Sequence, residues 1–439
     1  MTQAHVLFLA DTTHHTGAVQ DHIRAVTSSD KLHWHILNPL VCKTIDKLDL
    51  SLFDAVGIHY SIKPYTHYYL SAGLKKKIAA YSGTKFLFLQ DEYQNVNGVQ
   101  EYLHSLQFDL LFTLVNQSII AKAYPDPRLK HLKKITVLTG YVQDEMKYYQ
   151  SPAIGERQID VSYRGRRCEY WLGSLAYEKQ WIAEQFTKRV SKGEWRLDIS
   201  LEESDRVYGD AWINLLKNSK AVLGTESGAS VWDFDGSVIK KTNHFMRKNK
   251  QAGFPEVYEH VLKPDDGKIL YNAISPRVFE AAATKTAMIM FPGYYSGVCE
   301  PDTHYIVLEK DFSNLDNVLE RLRDTEFLQA MVDRTFDDLI LSEKYSQHVF
   351  SNLIADQLLL QIGQQRKGQE KAIQQEFQTL EKYQWLNVVR RGATELKFIL
   401  AQFFKMLLDD KYTVATRFTM LLKGAHRYIT YLKSRLAKV

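Results

Sequence analysis

Cysteine is nearly absent from this chain: three among 439 residues, Cys42, Cys168 and Cys299, far apart and in no metal-binding or redox spacing. That excludes a disulfide framework and points to a reducing compartment. No stretch approaches the roughly 18 uninterrupted apolar residues of a membrane span. The opening residues, MTQAHVLFLADTTHH, hold a short apolar run with no basic segment before it, so a first β-strand is expected there and not a signal peptide. Several catalytic signatures are missing too. Neither a Walker loop nor a GxGxxG follows the first strand, which argues against a phosphate-loop ATPase and a standard dinucleotide dehydrogenase. There is no GxSxG elbow and no HExxH.

What is present is the composition of a soluble globular protein, 45% hydrophobic and 24% charged, on a chain long enough for two or three domains. A cytosolic protein is expected. The net charge of +5 hides an asymmetry: from Arg366 onward fifteen basic residues face six acidic ones, so the preceding residues sum to −4. The last 29 residues carry seven basic residues and no acid, with apolar residues from Val414 to Leu436 at helical spacing. A helix over 411–439 of that kind can lie on an anionic membrane surface, making the protein peripheral at the inner face, or pack on the protein body or a second subunit. Nucleic acid is set aside as a partner, because no recognition motif accompanies the charge.

Short apolar runs alternate with helical patterns through most of the chain, the signature of an α/β protein with doubly wound parallel sheets. HVLFLAD, LHWHILN, LFDAVGIHYS, TKFLFLQDEY, FDLLFTLV and KITVLTGYV predict the strands of a first domain over 1–148. After the polar linker YYQSPAIGERQ a second series, IDVSYRGR, WRLDIS, KAVLGTESG, AMIMF and HYIVLEKD, predicts a domain over 149–330. Helices over 331–365 are expected to close that second domain, and 366–439 to form a basic helical tail. Two such domains leave a cleft between the carboxyl edges of their sheets, where ligands bind in this architecture.

Polar residues at the carboxyl ends of predicted strands are therefore the candidates. His59 follows one strand of the first domain, and Asp91 and Glu92 follow another. In the second domain Arg164, Arg166 and Arg167 cluster at a strand end ahead of Lys179. Guanidinium and ammonium groups near a helix N-terminus suit a diphosphate. Glu226 and Asp233 follow KAVLGT; the triplet Asp233–Phe234–Asp235 reads as a turn or acceptor contact ahead of a metal motif. In SPRVFEAAATKTAMIMF, a helix opening with Arg277 and Glu280 leads directly into a buried strand, so Glu280 is either an ordinary first-turn acid or a ligand-facing one.

RVFEAAATKTAMIMF with HYIVLEKDFSNLDNVLERLRD, together with YRGRRCEYWLGSLAYEK, LGTESGASVWDFDG, IHYS, QDEY and TGYV, resembles a glycosyltransferase of the two-Rossmann (GT-B) type, in the group-1 branch of spore-maturation and polysaccharide-locus enzymes. The resemblance covers about residues 4–360 and leaves out the tail. It implies two Rossmann-like domains, the second holding a nucleotide-sugar donor. Arg164 or Arg167 with Lys179 would grip the diphosphate, with Arg277 on the same donor and Glu280 on its ribose. His59 would lie close to the transferred sugar, and Asp91 and Glu92 on the acceptor side. The group's usual pair of glutamates is incomplete, since Asn272 stands eight positions before Glu280; Glu226 or Asp233 would take the missing role. A retaining, metal-independent transfer with no cofactor is implied, to a glycan or lipid-linked acceptor of cell-surface polysaccharide synthesis. A nucleotide-sugar epimerase of the same fold and a sugar-binding scaffold with a degenerate site are the alternatives.

Overall fold

The computed structural model of the protein describes residues 3–363 except 15, 16, 41, 43, 64–68, 191 and 192, together with 369–381, 396 and 400. Six strands, β1 (Ala4–Leu9), β2 (Leu32–Leu37), β3 (Ala55–Ile58), β4 (Thr84–Phe88), β5 (Leu110–Thr113) and β6 (Lys133–Thr136), form a parallel sheet in the order β2-β1-β3-β4-β5-β6. Helices cover both of its faces, so its inner strands are buried along their whole length instead of on alternate residues; all six residues of β1 are buried. Gly57 in β3 has to be glycine, because a Cβ there would fall 2.0 Å from the Phe86 ring of β4.

The chain continues through β7 (Ile159–Arg164), β8 (Leu197–Ser200), β9 (Ser219–Gly224), β10 (Ser227–Ala229), β11 (Tyr271–Ala273), β12 (Ala287–Met290) and β13 (Ile306–Val307). Five of these make a second parallel sheet, β13-β12-β9-β7-β8. Both sheets reverse strand order once, between β1 and β3 and between β7 and β9. The connections diverge at such a switch point and leave a crevice beyond the carboxyl ends of the strands. The architecture is thus two Rossmann-like α/β units, the GT-B arrangement expected.

Each strand read from the sequence is present, and the helices Ser174–Arg189, Asp210–Lys217 and Leu315–Arg323 lie among those of the second unit. The antiparallel pair β10–β11 was not foreseen. Nor was the excursion between those strands, which contains the helix Ser237–Lys248 and a small core of Val231, Val238, Phe254, Val257 and Leu262.

The closing helices also differ from expectation. Thr325–Phe336 packs on the second sheet through Leu328, Met331 and Val332. Gln347–Ile362, however, crosses back: Phe350, Ile354, Ala355 and Leu358 join the core of the first sheet, against the helix Gly17–Val26 and β4. Its sequence, QHVFSNLIADQLLLQI, is apolar on most of its circumference, so its pattern gives no preference for one core over the other. The helix Glu370–Glu381, assigned above to the tail, places Ile373 and Leu380 in the same first core. The segment 411–439 lies outside the described residues.

The two units meet along a seam. Asp233 N donates to Tyr93 O at 2.8 Å, while Val96 N and Asn97 N donate to Asp233 O and Phe234 O at 3.2 and 2.9 Å. Trp232 packs between Tyr124 and Tyr271, and its indole donates to Ala123 O at 3.2 Å. Elsewhere the two chain crossings run side by side, Val142 N bonding Tyr345 O at 2.8 Å and Gln347 N bonding Val142 O at 2.9 Å. Trp232 is a second-unit side chain buried in the first unit's core. Trp232→Ala is therefore expected to cost about 3–5 kcal/mol, read as a lowered urea midpoint.

Candidate functional site

A cavity of about 240 Å³ opens at the switch point of the second sheet, beyond the carboxyl ends of β7, β9 and β12. Its lining includes Lys179, Arg166, Arg206 and Arg277, with Trp212, Thr225 and Ser227 among the uncharged residues. Lys179 lies in the second turn of Ser174–Arg189, and its one hydrogen bond is to Ser227 Oγ at 3.4 Å. Among the described residues no carboxylate pairs with it. Burial lowers its pKa, and Arg166 and Arg277 act in the same direction. An ammonium in that setting favours an anionic ligand, which would supply the missing counter-charge.

The backbone pole of that helix is not available to a ligand. Gly173 sits at φ 87°, where a Cβ would be 2.2 Å from Asp266 Oδ1. The space admits the Asp266 carboxylate, which accepts from Ser174 N at 2.9 Å, Ser174 Oγ at 2.5 Å and Ser230 Oγ at 2.6 Å. The helix N-terminus expected to hold a phosphate is already capped by an internal anion, and attraction for a ligand falls to side chains.

Of the expected donor residues, the structure brings Lys179 and Arg277 to the cavity, neither of them in an ion pair among the described residues. Arg277 stacks its guanidinium over Trp212 at 4.6 Å and bonds the Arg164 carbonyl. Arg164 lines the cavity but its guanidinium is spent on structure. It donates to Asp205 O, Tyr163 O, Asp198 O and Asp198 Oδ1 at 2.8–3.0 Å, tying β7 to β8. Arg167 turns away, pairing with Glu202 at 2.6 Å and bordering a different groove. Of the three strand-end arginines, Arg166 is the one that lines the cavity while exposed and free of any ion pair or side-chain hydrogen bond among the described residues. Glu280 borders the cavity without lining it. Its Oε2 accepts the Trp212 indole N–H at 2.6 Å, and burial raises its pKa. Trp212 was missed by the sequence reading; a tryptophan in the helix after β8 gave no signal beyond core packing.

The remaining candidates are consumed by the fold. Glu226 Oε1 accepts from Asn272 Nδ2, Tyr294 N and Tyr295 N at 2.9, 3.0 and 2.8 Å, anchoring the loop after β12. Asn272, which stands where a glutamate is usual, and Glu226, one of the two acids expected to take its role, are thus direct partners. Asp233 is fully buried, with its carboxylate on Val238 N and Ile239 N at 3.4 and 3.1 Å, capping Ser237–Lys248. Asp235 accepts from Ser237 N at 2.9 Å, so the Asp-x-Asp triplet is built as a helix start.

His59 has no exposed surface. Its Nε2 meets His22 Nδ1 at 2.9 Å and its Nδ1 meets Ser61 Oγ at 2.8 Å, and burial holds it neutral. It therefore presents no atom to the cleft. Glu92 is likewise internal, accepting from Thr113 Oγ1 at 2.7 Å, Leu114 N at 3.1 Å and the Tyr124 hydroxyl. Only Asp91, at φ 54° and bonded to the Tyr93 hydroxyl at 2.9 Å, stays exposed. It also lies within electrostatic reach of Lys179.

No protein-family model matches the sequence, and no curated protein matches it either. Among solved structures, an α-glucosyltransferase in complex with UDP-glucose and DNA containing an abasic site is similar at 9% identity, over 82% of this chain and 100% of that one, with a TM-score of 0.47. The DNA-modifying enzyme β-glucosyltransferase is similar at 11% identity over 82% and 100%, TM-score 0.46. T4 phage β-glucosyltransferase is similar at 12% over 83% and 100%, TM-score 0.45. The exclusion of nucleic acid made from the sequence does not stand beside a similar structure that holds DNA.

Burial raises the Glu92 pKa from 4.5 to about 7. The folded state then binds more protons than the unfolded one across that window, so this residue's contribution to stability falls as pH rises through it. Glu92→Gln removes the slope. Relative to the parent it is expected to gain about 3 kcal/mol between pH ~4.5 and ~7.5, measured by urea unfolding at both values.

Proposed function

We propose that the protein is a nucleotide-sugar-dependent glycosyltransferase whose donor diphosphate occupies the cavity at the carboxyl ends of β7, β9 and β12. The observation that carries this reading is Lys179, a part-buried ammonium with no carboxylate partner among the described residues, flanked by Arg166 and Arg277. As the sugar leaves, it gains oxocarbenium character and negative charge collects on the departing diphosphate. Cations already held in place stabilise that charge without reorganising. Lys179 and Arg166 serve as its principal partners. Arg277, stacked on Trp212, orients the nucleoside end beside Glu280. Glu226 and Asn272 are positioning residues that fix the loop carrying Tyr294 and Tyr295. Closure along the Asp233 seam would keep water from the activated sugar.

In this proposal transfer is metal-independent, so added Mg²⁺ leaves kcat unchanged, and anomeric configuration is retained. The acceptor is a glycan or lipid-linked chain at the inner face of a membrane, with 411–439 as the contact. Nucleic acid enters the acceptor panel as a second class. One observation favours a different reading, a nucleotide-sugar-binding protein without transfer: His59, Glu226 and Asp233 are all engaged internally.

Calorimetric titration with a panel of nucleoside diphosphates tests the donor site. Lys179→Ala and Arg166→Ala are each expected to weaken binding by roughly 10- to 100-fold, the range of one charge-assisted hydrogen bond. Glu280→Ala should weaken it partially, and Arg167→Ala should leave it unchanged. Failure of every nucleoside diphosphate to bind sinks the donor reading. Binding with no product on any acceptor selects the binding protein, and an isomerised free nucleotide-sugar selects an epimerase.

Among the described residues no helix is long and apolar enough to cross a membrane. Because Ile373 and Leu380 belong to the first core, the tail is to be tested by deleting 382–439 and not from 366. The full chain is expected to float with anionic liposomes and the truncated chain to remain in the pellet; equal flotation would dispose of the membrane contact.

A further inference from the structure

Three histidines, His5, His33 and His35, gather on one face of the β1–β2 pair, near the amino ends of the strands and away from the cleft. The parallel register sets His5 opposite His33, and the two-residue period of a strand brings His35 to the same face. The side chains follow the backbone. Their ring centroids are 4.6–5.3 Å apart, and one ligand nitrogen from each lies within 4.8 Å of the others.

His5 Nδ1 and His35 Nε2 are 3.0 Å apart, and this is the one hydrogen bond among the three rings. The other ring nitrogens have no partner among the described residues. Helix Glu370–Glu381 covers this face, with Phe377 5.7 Å from the His35 ring and Glu370 in its first turn within electrostatic reach of His5.

We propose that His5, His33 and His35 bind a zinc-class divalent transition-metal ion, with Glu370 completing the site from the covering helix. Neutral imidazole suits Zn²⁺, Cu²⁺ and Ni²⁺, and a carboxylate completes a common tetrahedral set. Zn–N bonds of about 2.0–2.1 Å put ligand nitrogens roughly 3.4 Å apart, inside the span seen here. The rings now lie 9–28° from parallel. Convergence of their lone pairs on one point requires rotation about χ2. His33 and His35 are only half-buried, so they can rotate without opening the core. At the end of the sheet opposite the cleft, the ion would staple the β1–β2 edge to Glu370–Glu381 and take no part in transfer.

The test uses the full chain, stripped with a chelator and titrated with Zn²⁺ against a chromogenic competitor, with Co²⁺ absorption reporting tetrahedral coordination. One equivalent is expected. Its affinity should fall by at least about 100-fold in the His33→Gln/His35→Gln double variant and by roughly 10-fold in Glu370→Gln. A variant with all three cysteines changed to serine should bind as the parent does. Absence of stoichiometric binding by the parent, or parental affinity in the double variant, overturns the proposal. Should the double variant lose its far-ultraviolet circular dichroism, His33→Gln alone decides by the same criterion.

Discussion

An ammonium withdrawn from water, with no carboxylate paired to it among the described residues, is the constraint around which the second unit's crevice is organised. Desolvating such a charge is costly, and it is tolerated where an anion can complete the pair. Lys179 occupies that position, and its surroundings leave the task to few groups. Asp266 has closed the helix pole, and Arg164 is committed to β8. The remaining attraction comes from Lys179, Arg166 and Arg277, carried by a helix, a strand-end loop and a second helix. An anion entering there would join the Lys179 helix to the other two elements, which already meet through Arg277 and the Arg164 carbonyl.

Much of the polar chemistry at the carboxyl edges does structural work of a different kind. Chain leaving a parallel strand turns sharply, and the turn exposes backbone N–H groups that must be satisfied. Glu226 takes two such groups, Asp233 two more and Glu92 one. An acid at a strand end is therefore as well suited to anchoring the next loop as to meeting a ligand.

That ambiguity marks the limit of what the sequence reveals. The strands were legible because parallel strands covered on both faces are unbroken apolar runs, and AHVLFL or AMIM can be little else. Lys179 was a candidate because an ammonium behind an arginine cluster near a helix N-terminus suits a diphosphate, and Arg277 became one only through the family resemblance. The choice among Arg164, Arg166 and Arg167 was not legible, since the partners found on β8 and in the following loop, Asp198, Asp205 and Glu202, decide which guanidinium is left for the cavity. His59 misled for a related reason: its ring is bonded to His22, 37 residues earlier, which in turn packs against Phe350 in a helix that sequence placed in the other unit. Contacts between residues so far apart leave no local pattern.

The paired crossings at Val142 and Ser346 carry a mechanical consequence. A single linker lets two bodies swivel in any direction, whereas two strands bonded edge to edge resist twist and permit bending mainly about the axis perpendicular to both. Parting the units along that arc would have to break the Tyr93–Asp233 contacts and draw Trp232 out of the first core. Such motion would separate the exposed Asp91 from Lys179 in a repeatable direction and return it to the same place.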